Sequence, residues 1–500
     1  MTTRTANVMS WLTQACNYSG LKRLMVGVGE RGRVGKERCG QPSPDPGQSG
    51  TIDGGCQGFA EEAGARRAIL SGMIAVGSFL VIGKLIAAAK EIVVASRFGV
   101  SDIVDAYQFS FTLTQWPATF LGAAMVSVIV PLFSTATQDD LHRKRIYSRL
   151  FGYVLFASVG IGCISLLAFP FIVSSGIFSF TAIQESRVVT MVTLLSLVIP
   201  AAIASRFLAG CTMAARSHVN TLFECLPALA ILVFVGCVPL EQSLVLGGMT
   251  GIFVQCILLA GSVAILGTLV RPRLELPGEE EYRIFGAFGV FVLAYLLLGS
   301  VEIIDQIAAA SLPPGSLATL GYANRVLALG LGIVATTICR SLLPVLSAYN
   351  GEGKQIRPRF VLVLLGMLIS AAAVGAIAIA WFSGDIIRVL FERGAFGSSD
   401  TERVASALRW GVTRVPPYLM TIVLMYAITS QQRARPLLLL GLVTSVGKLT
   451  ATLLLLPWLG FHGLLLSSTV AYCGAAGFAL WIFLAGKQLR RRQLQFMPTG

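Results

Sequence analysis

From about residue 69 the chain is a succession of apolar stretches, each long enough to cross roughly 30 Å of hydrocarbon as a helix. Short polar turns separate twelve of them: about 69–97, 103–134, 148–174, 186–215, 219–239, 243–270, 283–311, 315–347, 358–383, 402–430, 435–456 and 461–486. A bilayer leaves backbone polar groups no water to bond, so only helices and closed barrels span it. Barrel strands alternate polar and apolar residues over about ten positions, and these stretches do not alternate. The pattern predicts an all-α polytopic membrane protein. Composition agrees: charged residues make up 13% of the chain, against about 25% in soluble domains. So few charges cannot wet a soluble surface, which excludes secreted enzymes, nucleic-acid-binding domains and disordered scaffolds. The net charge of +14 therefore points to basic loops, not to a nucleic-acid partner.

The loops carry that charge on one side. Basic residues join stretches 2–3 (Arg143, Lys144, Arg145), 4–5 (Arg216), 6–7 (Arg271, Arg273), 8–9 (Lys354, Arg357, Arg359) and 10–11 (Arg433, Arg435). The C-terminal end is basic too, with Lys487, Arg490, Arg491 and Arg492. The opposite loops are nearly free of Lys and Arg, apart from the longer 384–401 segment. Positive charge stays inside, so both termini are expected in the cytoplasm, consistent with an even helix count. Residues 1–68 are rich in Gly, Ser, Pro and charge and lack the apolar core of a signal peptide. They read as a poorly ordered cytoplasmic tail, and 489–500 as a short basic one.

A weak internal repeat divides the membrane part. VSVIVPLFS (126–134) is echoed by CRSLLPVLS (339–347), and Pro200 by Pro416 and Pro417. A six-helix offset preserves helix direction, so the halves would be parallel repeats. Two six-helix bundles are expected, 69–272 and 273–488, around a central cavity, as in a secondary transporter.

Catalytic and metal chemistry find no footing. The ten cysteines form no Cys-x-x-Cys and no Cys/His cluster. His142, His218 and His462 have no nucleophile beside them, and there is no phosphate-binding P-loop. Neither a metal nor a cofactor is expected, and the chain reads as a transporter, not an enzyme.

Charges inside the membrane carry the functional reading, because each costs at least ~2.5–3.5 kcal/mol unless it is paired or faces water. Lys84, Lys90 and Arg325 read as a cationic cavity for an anionic headgroup such as a diphosphate. Glu91, Asp105 and Arg414 are candidates for cavity or gating roles. Arg97, Arg206, Glu224 and Arg409 can each reach an interface by snorkelling. Glu302 and Asp305 share a helix face. Asp305 either pairs with Lys448 or, with Glu302, binds a coupling ion.

Four segments resemble the MviN/MurJ family. GKLIAAAKEIVVASRFGVSDIVDAYQFSF (83–111) is similar to the family's opening, with Lys84 and Lys90 where Arg is usual. LPPGSLATLGYANRVLALGLGIVATTICRSLLPVLS (312–347), VLFERGAFGSSDT (389–401) and LPWLGFHGLLLSSTVA (456–471) resemble later family segments. The resemblance implies a flippase of the multidrug/oligosaccharidyl-lipid/polysaccharide superfamily in the bacterial inner membrane. Such proteins move polyprenyl-diphosphate-linked saccharides, typically lipid II, by alternating access. By position, Lys84, Lys90 and Arg325 correspond to cations meeting the diphosphate, and Asp105 to an acidic residue near the outward end. The implied partners are the lipid-linked glycan, membrane lipids, and a coupling ion or the membrane potential. Three departures stand out. TQWPATFLG (114–122) lacks the family's cations there, two arginines are replaced by lysine, and twelve helices are read where fourteen are typical. A lipid-linked exopolysaccharide unit fits these departures as substrate, and a small-molecule antiporter shares the superfamily architecture.

Overall fold

The computed structural model describes residues 77–134, 140–215, 217, 219–238, 240–275, 278–332, 358–429 and 434–495. Among the described residues there is no strand. The helices are α1 (77–98), α2 (Asp102–Ser134), α3 (Asp140–Val173), α4 (Ala182–Ser196), α5 (Ile199–Ala214), α6 (Val219–Phe223), α7 (Leu226–Cys237) and α8 (Ser243–Ile265) in the first half. In the second they are α9 (Glu279–Ala310), α10 (316–332), α11 (Pro358–Trp381), α12 (Ser383–Phe391), α13 (Ser398–Gly411), α14 (Val415–Thr429) and α15 (Ala434–Gln495).

Each of the twelve expected stretches is predominantly helical where described. By length and composition alone, five of the described helices can cross a membrane, or seven if each bent pair counts as one span. Bends divide other stretches: α13, a 3-10 turn (Val412–Arg414) and α14 together fill 402–429. The bends have local causes. Pro200 opens α5, which turns 46° from α4. Within α15, Gly460 has φ 54° and ψ −130°, just past Pro457, and the helix folds back there. Several buried hydroxyls are satisfied inside their own helices, as in Thr114 to the Ser110 carbonyl at 2.8 Å and Thr444 to Leu440 at 2.7 Å. The expected tail over 1–68 lies outside the described residues. At the other end α15 continues to Gln495, because the Lys, Arg and Gln of the basic segment are good helix formers.

Packing follows two groups. α5 lies against α2, α3 and α8, and α8 against α7; α15 lies against α9 and α14, and α14 against α11. α2 and α9 join the groups. Gly247 and Gly251, one turn apart on α8, let it meet α7 closely, since a Cβ at either would fall 2.7 Å or 2.4 Å from a backbone Cα.

The segment between the halves is strapped along α3. Arg273 N–H donates to the Ser148 carbonyl at 3.0 Å, the Ser148 hydroxyl to Arg271 O, and the Tyr153 hydroxyl to Glu275 O. Arg149 donates twice to the Glu275 carboxylate, at 2.9 and 2.8 Å, and holds that carboxyl below its ordinary range. Gly152 permits this contact, for a Cβ there would sit 2.3 Å from the Arg273 carbonyl oxygen.

Candidate functional site

A cavity of about 870 Å³ lies between the groups. Lys90, Trp116, Arg206 and Glu224 face it from the first half, and Tyr295 and Glu302 from the second. A smaller cavity of about 400 Å³ holds Lys84, Asp305, Asn324 and Arg414. Glu302, Tyr418 and Tyr472 border both.

Charges on these walls are nearly matched. Lys90 and Arg206 oppose Glu224 and Glu302 in the larger cavity, and Lys84 and Arg414 accompany Glu302 and Asp305 in the smaller. An unpaired charge in a low-dielectric wall is expensive, and the pairing reflects that cost. Glu91, on α1, takes an ion pair from Lys90 on one oxygen and from Arg325 on the other. Arg325 also donates to the Gln108 side-chain carbonyl. Arg325 is on α10, so this cluster spans the two halves. Among the sequence-predicted cations, Lys84 and Lys90 line cavities, whereas Arg325 lines neither and sits behind Glu91. Lys84 Nζ approaches the Ala328 carbonyl at 3.4 Å. Arg414 donates to Asn324 Oδ1 at 2.7 Å.

Asp105 lies away from both cavities. Its two oxygens accept from the backbone N–H groups of Gly315 and Ala318, both at 2.6 Å, capping the start of α10 from across the halves. Nearby, the Tyr322 hydroxyl donates to Gly99 O at 3.1 Å and Ala395 N–H to Ser96 O at 2.8 Å. These bonds tie the halves together at the end of the molecule that carries loops 99–101, 311–315 and 392–397. Asp305 and Lys448 form an ion pair, with Lys448 fully buried.

Sequence reasoning missed Arg206 and Glu224, treating both as interface residues. The structure puts both on the larger wall. The Arg206 stem lies across Gly122, where a Cβ would be 2.7 Å from its Cγ. A glycine in α2 opposite an in-membrane arginine was the available signal. Arg97 donates to the Val235 carbonyl, and Arg409 to the Ser383 hydroxyl at 3.4 Å; neither lines the larger or the smaller cavity.

Two helical halves with charged side chains on the cavity between them give a multi-pass helical membrane fold of the kind found in the multidrug/oligosaccharidyl-lipid/polysaccharide superfamily. The fold is similar to a lipid II flippase MurJ in an inward closed conformation, with TM-score 0.71 and 16% identity, covering 82% of this chain and 87% of that one. It is also similar to an inward-facing multidrug resistance MATE family transporter, with TM-score 0.65 and 13% identity, covering 84% and 99%. A probable lipid II flippase MurJ of Rhizobium tropici is 31% identical over 170 residues, a match covering 33% of this chain and 31% of that relative. Residues 94–497 match the family described as lipid II flippase MurJ, and the chain belongs to that family.

Proposed function

We propose that the chain is a flippase carrying a polyprenyl-diphosphate-linked saccharide of the lipid II type across the bacterial inner membrane. Both termini lie on the cytoplasmic side, and the halves 69–272 and 273–488 rock about the cavity in alternating access. The observation that carries this reading is the Lys90–Glu91–Arg325 cluster beside the cavity, bridging the halves. A diphosphate offers more anionic oxygens than one carboxylate, so it competes with Glu91 for both cations. Lys84, in the adjoining cavity, supplies further charge for the same headgroup. Exchanging Glu91 for substrate loosens a contact between the halves, which links binding to movement.

The test is lipid II flipping in reconstituted vesicles, normalised to inserted protein. Lys84→Ala, Lys90→Ala and Arg325→Ala should each abolish or sharply reduce turnover. Lys84→Arg and Lys90→Arg should be tolerated, whereas Arg325→Lys loses the planar fork that serves Glu91 and Gln108 together. Wild-type turnover in all three alanine variants would overturn the assignment. Glu224 and Glu302 on the same wall favour a second reading, a small-molecule antiporter. Export of a cationic dye without any lipid II flipping would support it, and flipping of a lipid-linked exopolysaccharide unit alone would change the glycan but keep the mechanism.

A further inference from the structure

Among the described residues, Lys448 is the one charged side chain in the set of largest fully buried side chains. Four oxygens from four residues surround Nζ: Asp305 Oδ1 at 2.5 Å, Ser467 Oγ at 2.6 Å, Ser468 Oγ at 2.9 Å and the Leu464 carbonyl at 3.2 Å. An ammonium has three N–H donors, so the shell offers more acceptors than the side chain can use in separate bonds. The hydroxyl protons are already directed outward. Ser467 donates to Leu464 O at 2.7 Å, and Ser468 to Asp305 Oδ2 at 3.2 Å. Thr452 donates to Ser467 Oγ at 3.0 Å, from behind. The lone pairs that remain converge on one point.

A carboxylate, a backbone carbonyl and two hydroxyl oxygens whose protons are directed to other acceptors make up the donor set of a hard monovalent cation. The carbonyl belongs to the turn of helix just after the Gly460 fold-back, and Asp305 comes from α9. The cage thus joins three helical segments of the second half. We propose that it is an alkali-cation site that this chain fills with its own Lys448 ammonium. Asp305 is then neutralised from within, and a second cation has no charge to meet and no room to enter. The arrangement of α9 against both arms of α15 is therefore independent of sodium. Any energy drawn for transport has to enter elsewhere than through a free cation at this point.

The experiment uses the purified full chain and reads cation binding instead of flipping, so its outcome is separate from the transport function proposed above. Thermal unfolding is followed in sodium, lithium, potassium and choline chloride at equal ionic strength, alongside radioactive sodium binding. Wild type is expected to unfold at the same temperature in all four salts and to bind no sodium saturably. Lys448→Ala, which empties the cage but keeps its oxygens, should acquire saturable sodium or lithium binding and a matching rise in unfolding temperature. Lys448→Met fills the same volume without charge and should acquire neither. Adding Asp305→Asn to Lys448→Ala should remove the gain. Saturable sodium binding to wild type that is lost in Asp305→Asn would overturn the proposal. So would a monodisperse Lys448→Ala protein that behaves identically in sodium and choline. If Lys448→Ala is monodisperse only in sodium or lithium, that supports the site; if it aggregates in every salt, the cage takes no free ion and the proposal fails.

Discussion

Asp105→Ala should separate the halves at the end where they are hydrogen-bonded together while leaving each half folded. The carboxylate accepts two backbone N–H groups of the other half, both at 2.6 Å, and is itself buried. Hydrogen bonds to a charged group contribute about 1.5–3 kcal/mol each, and an Asp cap lost to Ala costs about 0.5–2 kcal/mol. Water entering the opened end repays part of this, so about 1–3 kcal/mol is the net weight on the closed state. That corresponds to a shift of about 5- to 150-fold in the equilibrium between closed and open forms. Spin labels at Ser174, after α3, and at Ser399, on α13, report the separation of the halves at that end. Asp105→Ala should bring in a longer-distance population, with an unfolding temperature close to wild type. Asp105→Asn keeps one acceptor and should fall between. An unchanged distance distribution together with a marked loss of thermal stability would refute the reasoning, because Asp105 would then hold the fold and not the gate.

The strap between the halves gives two further expectations. Gly152→Val places a Cβ 2.3 Å from the Arg273 carbonyl oxygen and should cost about 1–3 kcal/mol as overpacking; Gly160→Val on the same helix meets nothing within 4 Å, and equal unfolding temperatures for the two would contradict the contact. Because Arg149 depresses the Glu275 carboxyl below 4.5, the pair stabilises the folded chain above that pH and loses its effect as pH falls through the lowered value. The difference in unfolding temperature between wild type and Arg149→Ala should shrink on acidification, and a gap that stays constant from neutral pH down to pH 3 would refute it.

The helices were legible because a bilayer leaves the backbone no alternative. Even the division near 456–461 reads from Pro457 and Gly460, where the structure breaks α15. The fate of the charges was far less legible, because it depends on partners distant in sequence. Arg325 meets Glu91 from 234 positions away, and Asp305 meets Lys448 from 143. Periodicity puts Lys84 and Glu91 on one face and Lys90 on another. The structure instead pairs Glu91 with Lys90, its neighbour in sequence, because the long lysine stem swings round the helix. Lys84 is left to the smaller cavity. A helical wheel locates a Cβ well, but it does not locate a charge at the end of four methylenes. Arg206 shows the same limit, since its stem crosses a different helix at Gly122 before reaching the cavity.

On the function proposed above, the pairing of charges bears on how the carrier would both bind and release. A cavity of free cations would hold a diphosphate tightly and would itself be costly to keep in an apolar wall. Here Lys90 and Arg325 are already neutralised by Glu91, and Asp305 by Lys448. On that proposal an incoming anion would gain only the difference between its own contacts and those it displaces, which would keep binding reversible. The Arg325–Glu91 contact connects the halves, so on the proposed function that difference would be expressed as a change in their relative stability and not simply as affinity. A ligand with equal preference for both arrangements would shift nothing. Placing the internal counter-ion on one half and its arginine on the other makes the preference unequal, and that asymmetry is what a rocking transporter requires.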